Sequence, residues 1–210
     1  MKAQTQALTT VLITTVTIAA IAAGYAWGTP LLEKRQSQAS LNNVERSTVE
    51  LYSAIQSVSR SGQGSARTIK ISPNEGSIEL NEEMDYIEVK TVAESSPYPQ
   101  DTWKLLRGSS MQNLSVGAGD YALRDQNSLG VIGITSSSGA KKTIRYRVEF
   151  RNLLANERIE RIDLKPVGGS AATGETEIVV RNTGIEVDDN YIAGGTPYDR
   201  YRTIVEVDLK

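Results

Sequence analysis

The sequence predicts an α+β protein: a long N-terminal hydrophobic α-helix followed by an antiparallel β-sandwich, so that the head is mainly β. Three observations carry this. No charged residue lies between Ala3 and Leu32. A helical stripe of apolar residues follows, from Leu41 to Val58. From Arg67 onward the hydrophobic period changes from 3.6 to 2, the mark of strands with one face covered.

The core of the charge-free run is ALTTVLITTVTIAAIAAGYAWG, residues 7–28. Its length matches the roughly 20 residues that span a hydrocarbon layer about 30 Å thick. Leu8, Val11, Leu12, Val16, Ile18 and Ile21 give it bulk. Its threonines can bond back to the helix and so tolerate lipid. Ala19, Ala20, Ala22, Ala23 and Gly24 make a belt of small residues, which lets helices approach closely in a dry medium. Tyr25 and Trp27 stand at its end, where aromatic rings favour a membrane–water boundary. Gly28, Thr29 and Pro30 predict a bend or local unwinding. Glu33, Lys34 and Arg35 are the first polar shell, and residues 33–40 read as a polar stalk.

In LNNVERSTVELYSAIQSVSR, the residues Leu41, Val44, Thr48, Leu51, Ile55 and Val58 recur at spacings of three and four. That is one narrow stripe, interrupted in polarity only by Thr48. Asn43, Glu45, Arg46, Glu50 and Gln56 take the wet face. SRSGQGSA, 59–66, punctuates the end.

TIKI (68–71) and SIEL (77–80) flank SPNEG, which reads as a hairpin loop. DYIEVKTV (85–92) is the next strand. TIRYRVEF (143–150) is the clearest, with Ile144, Tyr146, Val148 and Phe150 alternating with charged neighbours. RIERIDL, TEIVVRN and RTIVEVDL add three strands, and DYALR and LGVIGITS are weaker candidates. PQDTWKLLRG (99–108) reads as a helical turn or two. PVGGSAATGE (166–175) and IAGGTPYDRY (192–201) read as flexible loops. Short strands joined by Gly, Ser and Asn turns fit a sandwich or barrel.

Composition removes several chemistries. The chain has no cysteine and no histidine, which excludes disulfides, thiolate nucleophiles, Cys/His zinc sites and a Ser-His-Asp triad. A net charge of -2 provides no bulk field for nucleic acid. No catalytic constellation, cofactor motif or phosphate loop emerges, and the expected protein is not an enzyme. Two acidic groups, Glu82/Glu83/Asp85 and Asp188/Asp189 beside Asn190, have the oxygen density of a calcium site but no EF-hand spacing; solvated turns are the commoner use. Tyr191, Tyr198 and Tyr201 can serve a contact surface or cover a sheet edge. Asn113-Leu114-Ser115 is a glycosylation sequon, so Asn113 is a candidate modification site in an exported domain.

The opening MKAQTQALTT, the apolar run, the exit AAGYAWGTPLLEKRQ and the β-rich remainder together resemble the prepilin class: type IV pilins and their archaeal relatives, including archaellum-like subunits. The resemblance covers roughly the first 60 residues and the general β-rich head. It implies a class III signal peptide, with Lys2 and Ala3 recognised and cut before Gln4 by a prepilin peptidase. The domain limits that follow are a leader at 1–3, an N-terminal helix at 4–61 and a β-sandwich head at 66–210. Within the helix, 4–32 forms the membrane or filament-core part and 33–61 the amphipathic part that packs on the head. Leu8 stands where bacterial major pilins carry glutamate; archaeal relatives commonly lack it, and the resemblance leans archaeal. Its implied partners are further copies of the chain in a helical filament, the prepilin peptidase and secretion machinery, and a membrane before assembly. Its implied location is the cell envelope and then an extracellular filament for adhesion or motility. A continuous helix over 4–60 would extend roughly 80 Å at 1.5 Å per residue.

Two other readings stay open. One is a monomeric, membrane-anchored surface β-sandwich, a binding protein or minor pilin, with its ligand surface near Tyr191–Tyr201. The other is an anchored enzyme working through carboxylates or Ser/Lys.

Overall fold

The computed structural model describes residues 2–107, 123–124, 129–139, 141–155 and 157–210, with side chains from Leu12 onward except at 123–124 and 155. The chain divides into two compact units, Met1–Ala39 and Ser40–Lys210. One helix, α1 (Lys2–Arg60), is followed by β1 (Ala66–Ile71), β2 (Ser77–Asn81), β3 (Tyr86–Ala93), β4 (Lys104–Arg107), β5 (Leu123–Arg124), β6 (Gly130–Ser136), β7 (Lys142–Phe150), β8 (Leu153–Ala155), β9 (Arg158–Pro166), β10 (Ala171–Thr173), β11 (Thr176–Ala193) and β12 (Thr196–Leu209). This is an α+β fold with one long N-terminal helix and two largely antiparallel sheets.

The first sheet has the order β1-β11-β12-β9-β8-β5, and the second β10-β2-β3-β7-β6-β4. Every pair in the second sheet is antiparallel. The first is mixed, since β12 runs parallel to β9 and β5 parallel to β8. A single cluster of buried apolar side chains draws on α1 and both sheets.

The helical stripe is buried as its spacing predicts. Leu41, Val44, Thr48, Leu51, Ile55 and Val58 are all 3% exposed or less. Thr48 satisfies its hydroxyl by donating to the carbonyl of Val44 at 2.7 Å, so a polar residue sits in the stripe without an orphan group. The alternation of β7 is equally faithful: Ile144, Tyr146, Val148 and Phe150 are fully buried. Tyr52 of α1 stacks on Phe150, ring centroids 6.1 Å apart, and its hydroxyl donates to the carbonyl of Gly130 at 2.9 Å. Asn182 of β11 donates to the carbonyls of Val58 and Ser59 at 3.1 and 3.3 Å. Those are end-of-helix acceptors with no intrahelical partner. Thus α1 is fastened to the second sheet by Tyr52 and to the first by Asn182.

Several sequence expectations are corrected. TIKI and SIEL do not form a hairpin: β1 pairs with β11 in the first sheet and β2 with β3 and β10 in the second. The intervening residues are tied instead to the end of β3, where the Asn74 N–H donates to Thr91 Oγ1 at 3.0 Å and the Val92 N–H to the Asn74 carbonyl at 2.9 Å. Residues 104–107 are a strand rather than a helical turn, because β6 offers them an open edge. The 192–201 segment is no loop but the end of the β11–β12 hairpin. Ala193 pairs with Thr196 across Gly194 and Gly195, both at positive φ, +59° and +82°. Two successive left-handed residues are what a two-residue hairpin turn needs, and glycine supplies them without strain. Part of 166–175 likewise pairs as β10. Finally, α1 continues through Pro30 without local unwinding. Thr29 donates its hydroxyl to the Tyr25 carbonyl at 2.8 Å there.

Candidate functional site: an apolar helix left in solvent

The described side chains of the apolar run are uncovered. Leu12, Ile13, Val16, Ile18, Ile21, Tyr25 and Trp27 are between 60% and 77% exposed. The contrast with the 0–3% of the Leu41–Val58 stripe is large. At about 25 cal/mol per Å² of apolar surface, an uncovered helix of this kind is unfavourable in water and favourable in any dry setting. Thr17 donates its hydroxyl to the Ile13 carbonyl at 2.8 Å, so at this position the polar group is already satisfied within the helix. An added Cβ at Gly24 or Gly28 meets nothing within 4 Å, leaving a small-residue strip for a neighbouring backbone. Glu33, Lys34 and Arg35 are exposed. By length and composition α1 can cross a membrane, a property it shares with signal sequences near a chain start.

Of the sequence-selected residues, Lys2, Ala3 and Gln4 lie in the helical backbone of α1, and so do Leu8 and Val11. Their side chains are outside the described residues, and so is Asn113.

The acidic clusters turn out to be arginine sites. Asp85 accepts from Arg161 Nε at 2.8 Å, from Arg161 Nη2, and from the backbone N–H of Leu164 at 2.9 Å. It sits in the turn between β2 and β3 at φ +46°, and it joins the second sheet to the buried part of β9 beyond the residues that β8 covers. Burial pushes its carboxyl up to about 6, against the opposing pull of Arg161. Asp188 accepts from Arg200 Nη2 at 2.6 Å and from Arg202, and Arg200 lowers its carboxyl below the usual range. In each cluster one carboxylate, Asp85 or Asp188, is thus committed to guanidiniums. Among the described residues no three acidic side chains converge as metal ligands.

The tyrosines are likewise engaged. Arg200 stacks over Tyr191 at 3.8 Å and Arg158 over Tyr201 at 5.1 Å, while Tyr191 and Tyr198 face each other across the hairpin. An open cavity of about 410 Å³ lies beside Tyr201, with Arg60, Leu129, Leu153, Arg158 and Ile185 among its walls. Sequence reasoning missed this cavity and the Asp85–Arg161 fastening. Both join residues far apart in the chain, and no local spacing signals them.

Compared with family models, curated proteins and solved structures, the chain has no match in any of the three.

Proposed function

We propose that this chain is a structural, non-enzymatic subunit of an extracellular type IV pilus-like filament. Its leader is cut between Ala3 and Gln4, its helix anchors it in the membrane before assembly, and the same helices bundle in the filament core. In this reading the two sheets form a β-sandwich head on the outside.

One observation carries the reading. A charge-free helical run whose described large apolar side chains from Leu12 to Trp27 are each 60–77% exposed stands in the same chain as a β-rich head that buries its core with the second half of α1. Membrane and filament core are both dry, so one surface serves both. The opening residues Lys2-Ala3-Gln4 add the resemblance described above.

The test is electron microscopy of material sheared from cells producing the wild type and Ile18→Lys. Wild-type filaments, lost in the variant while the head melts at an unchanged temperature, are expected. A sheared fraction without filaments from the wild type would contradict the reading. The cavity beside Tyr201 favours a second reading, an anchored surface binding protein, which predicts monomers in the membrane fraction.

A further inference from the structure

Within the head unit, β11 outruns its neighbour on one side. β1 covers only Thr176–Arg181. Backbone bonds of Gly64 and Ser65 with Asn182 close that seam, and the Gln63 side chain donates to the Thr183 carbonyl at 2.8 Å. From Gly184 to Ala193, β12 is the only adjoining strand among the described residues. An edge of this length exposes a row of backbone donors and acceptors, and natural edges are usually blunted by lysine or proline. Residues 184–193, GIEVDDNYIA, contain neither, and the register shift between Asp188 and Tyr191 confines the regular edge to Gly184–Asp188. Ile185, Val187 and Ile192 on this stretch are 63%, 48% and 64% exposed. Ile185 lies opposite Thr203 and Val187 opposite Tyr201, positions that share a face of β12 with buried Val205 and Val207. The core face of the sheet therefore continues past the core.

A complementary edge exists elsewhere on the same head. β4 is the terminal strand of the second sheet and pairs only with β6 among the described residues. Its sequence, Lys104-Leu105-Leu106-Arg107, sets two half-buried leucines between two exposed cations. Neither cation has an ion-pair partner among the described residues. The β11–β12 tip has the opposite balance. Between Glu186 and Arg202, Glu186, Asp188, Asp189 and Asp199 outnumber Arg200 and Arg202; those arginines hold Glu186 and Asp188, so the excess negative charge lies on exposed Asp189 and Asp199. Pairing β11 with its own copy would set acids against acids, and β4 with its own copy cations against cations, both unfavourable across a ladder.

We infer that the free edge of β11 in one head pairs with the β4 edge of a second copy, so that leucines meet Ile185 and Val187 and cations meet acids. Two different edges make a heterologous contact, which runs on from copy to copy instead of closing as a dimer. This deepens the filament reading and rests on it for the identity of the occupant.

The chain contains no cysteine, so single thiols are unambiguous probes. Full-length K104C and D189C, both at exposed positions, are produced separately and together in cells. The surface material is treated with a short bismaleimide, which tolerates a register shift of a residue or two. The same samples are imaged for filaments and melted to verify the fold. Covalent dimers in the co-produced sample and not in either variant alone are expected. Filaments without mixed dimers overturn the edge contact and leave the filament reading standing. Dimers formed equally well by one variant alone overturn the heterologous pairing. Mixed dimers without filaments support the edge contact and sink the filament reading.

Discussion

Asp85 sits almost fully buried between two sheets, and its titration is a stability signal. Its folded-state carboxyl titrates near 6, above an ordinary value of 3.8, chiefly because burial penalises the charge. Below pH 4 both folded and unfolded chains hold the proton. Between about 4 and 6 only the folded chain holds it, so this group's contribution falls as pH rises through that window, by on the order of 3 kcal/mol in all. Burial raises Glu149 as well, and it acts with the same sign. Asp85→Asn cannot ionise. Urea midpoints of wild type and variant, measured at pH 4 and 7, are therefore expected to differ in the wild type's disfavour more at pH 7. An unchanged difference contradicts the shift. Asn182 makes a separate prediction. Its amide satisfies two carbonyls at the end of α1, and its Oδ1 accepts from the Gly184 N–H at 2.9 Å. Asn182→Ala removes these three bonds, leaves the Ser59 carbonyl without its side-chain donor while Val58 keeps Ser61 and Ser65, and is expected to cost about 1–3 kcal/mol in a denaturant melt.

The second half of α1 is part of the head's core, and its loss is a core loss. Ile55 is fully buried, and Ile55→Ala is expected to cost about 2–5 kcal/mol, in a single transition seen equally by helix and sheet signals. Gly130 is the tightest point of that packing, since a Cβ there lies 2.8 Å from the Phe150 ring and 2.9 Å from the Tyr52 ring. Gly130→Ala is expected to destabilise by about 1–3 kcal/mol, and an unchanged melting temperature contradicts the stacking. Gly24 has no such neighbours. Gly24→Leu is expected to leave the head's melt unchanged and to abolish filaments, because close helix approach needs the small side chain. The stripe and β7 were legible in the sequence because burial of one face leaves a period of 3.6 or 2. Partner choice was not. Alternation at 68–71 and 77–80 announces two half-buried strands, but it carries no mark of which sheet each joins, and β1 and β2 part company. Gly194-Gly195 similarly reads as flexible by composition, whereas two paired strands turn it into a hairpin tip.

For the whole chain, the candidate site was legible where it is local and continuous. The apolar run from Ala7 to Gly28 is visible as a stretch without charge, and the side chains described in it are exposed as a surface awaiting a dry environment. The Asp85–Arg161 fastening and the cavity beside Tyr201 were not legible, because each gathers residues tens of positions apart. The account's central claim is that this run is retained as a working part, released from a three-residue leader and packed with other copies. The N-terminus of the mature chain tests it most directly, by peptide mass spectrometry of high-mass material sheared from the cell surface. The account predicts a first peptide beginning at Gln4. A mature chain beginning near Ala23 or Trp27 would mean that the apolar run is discarded, and would contradict it.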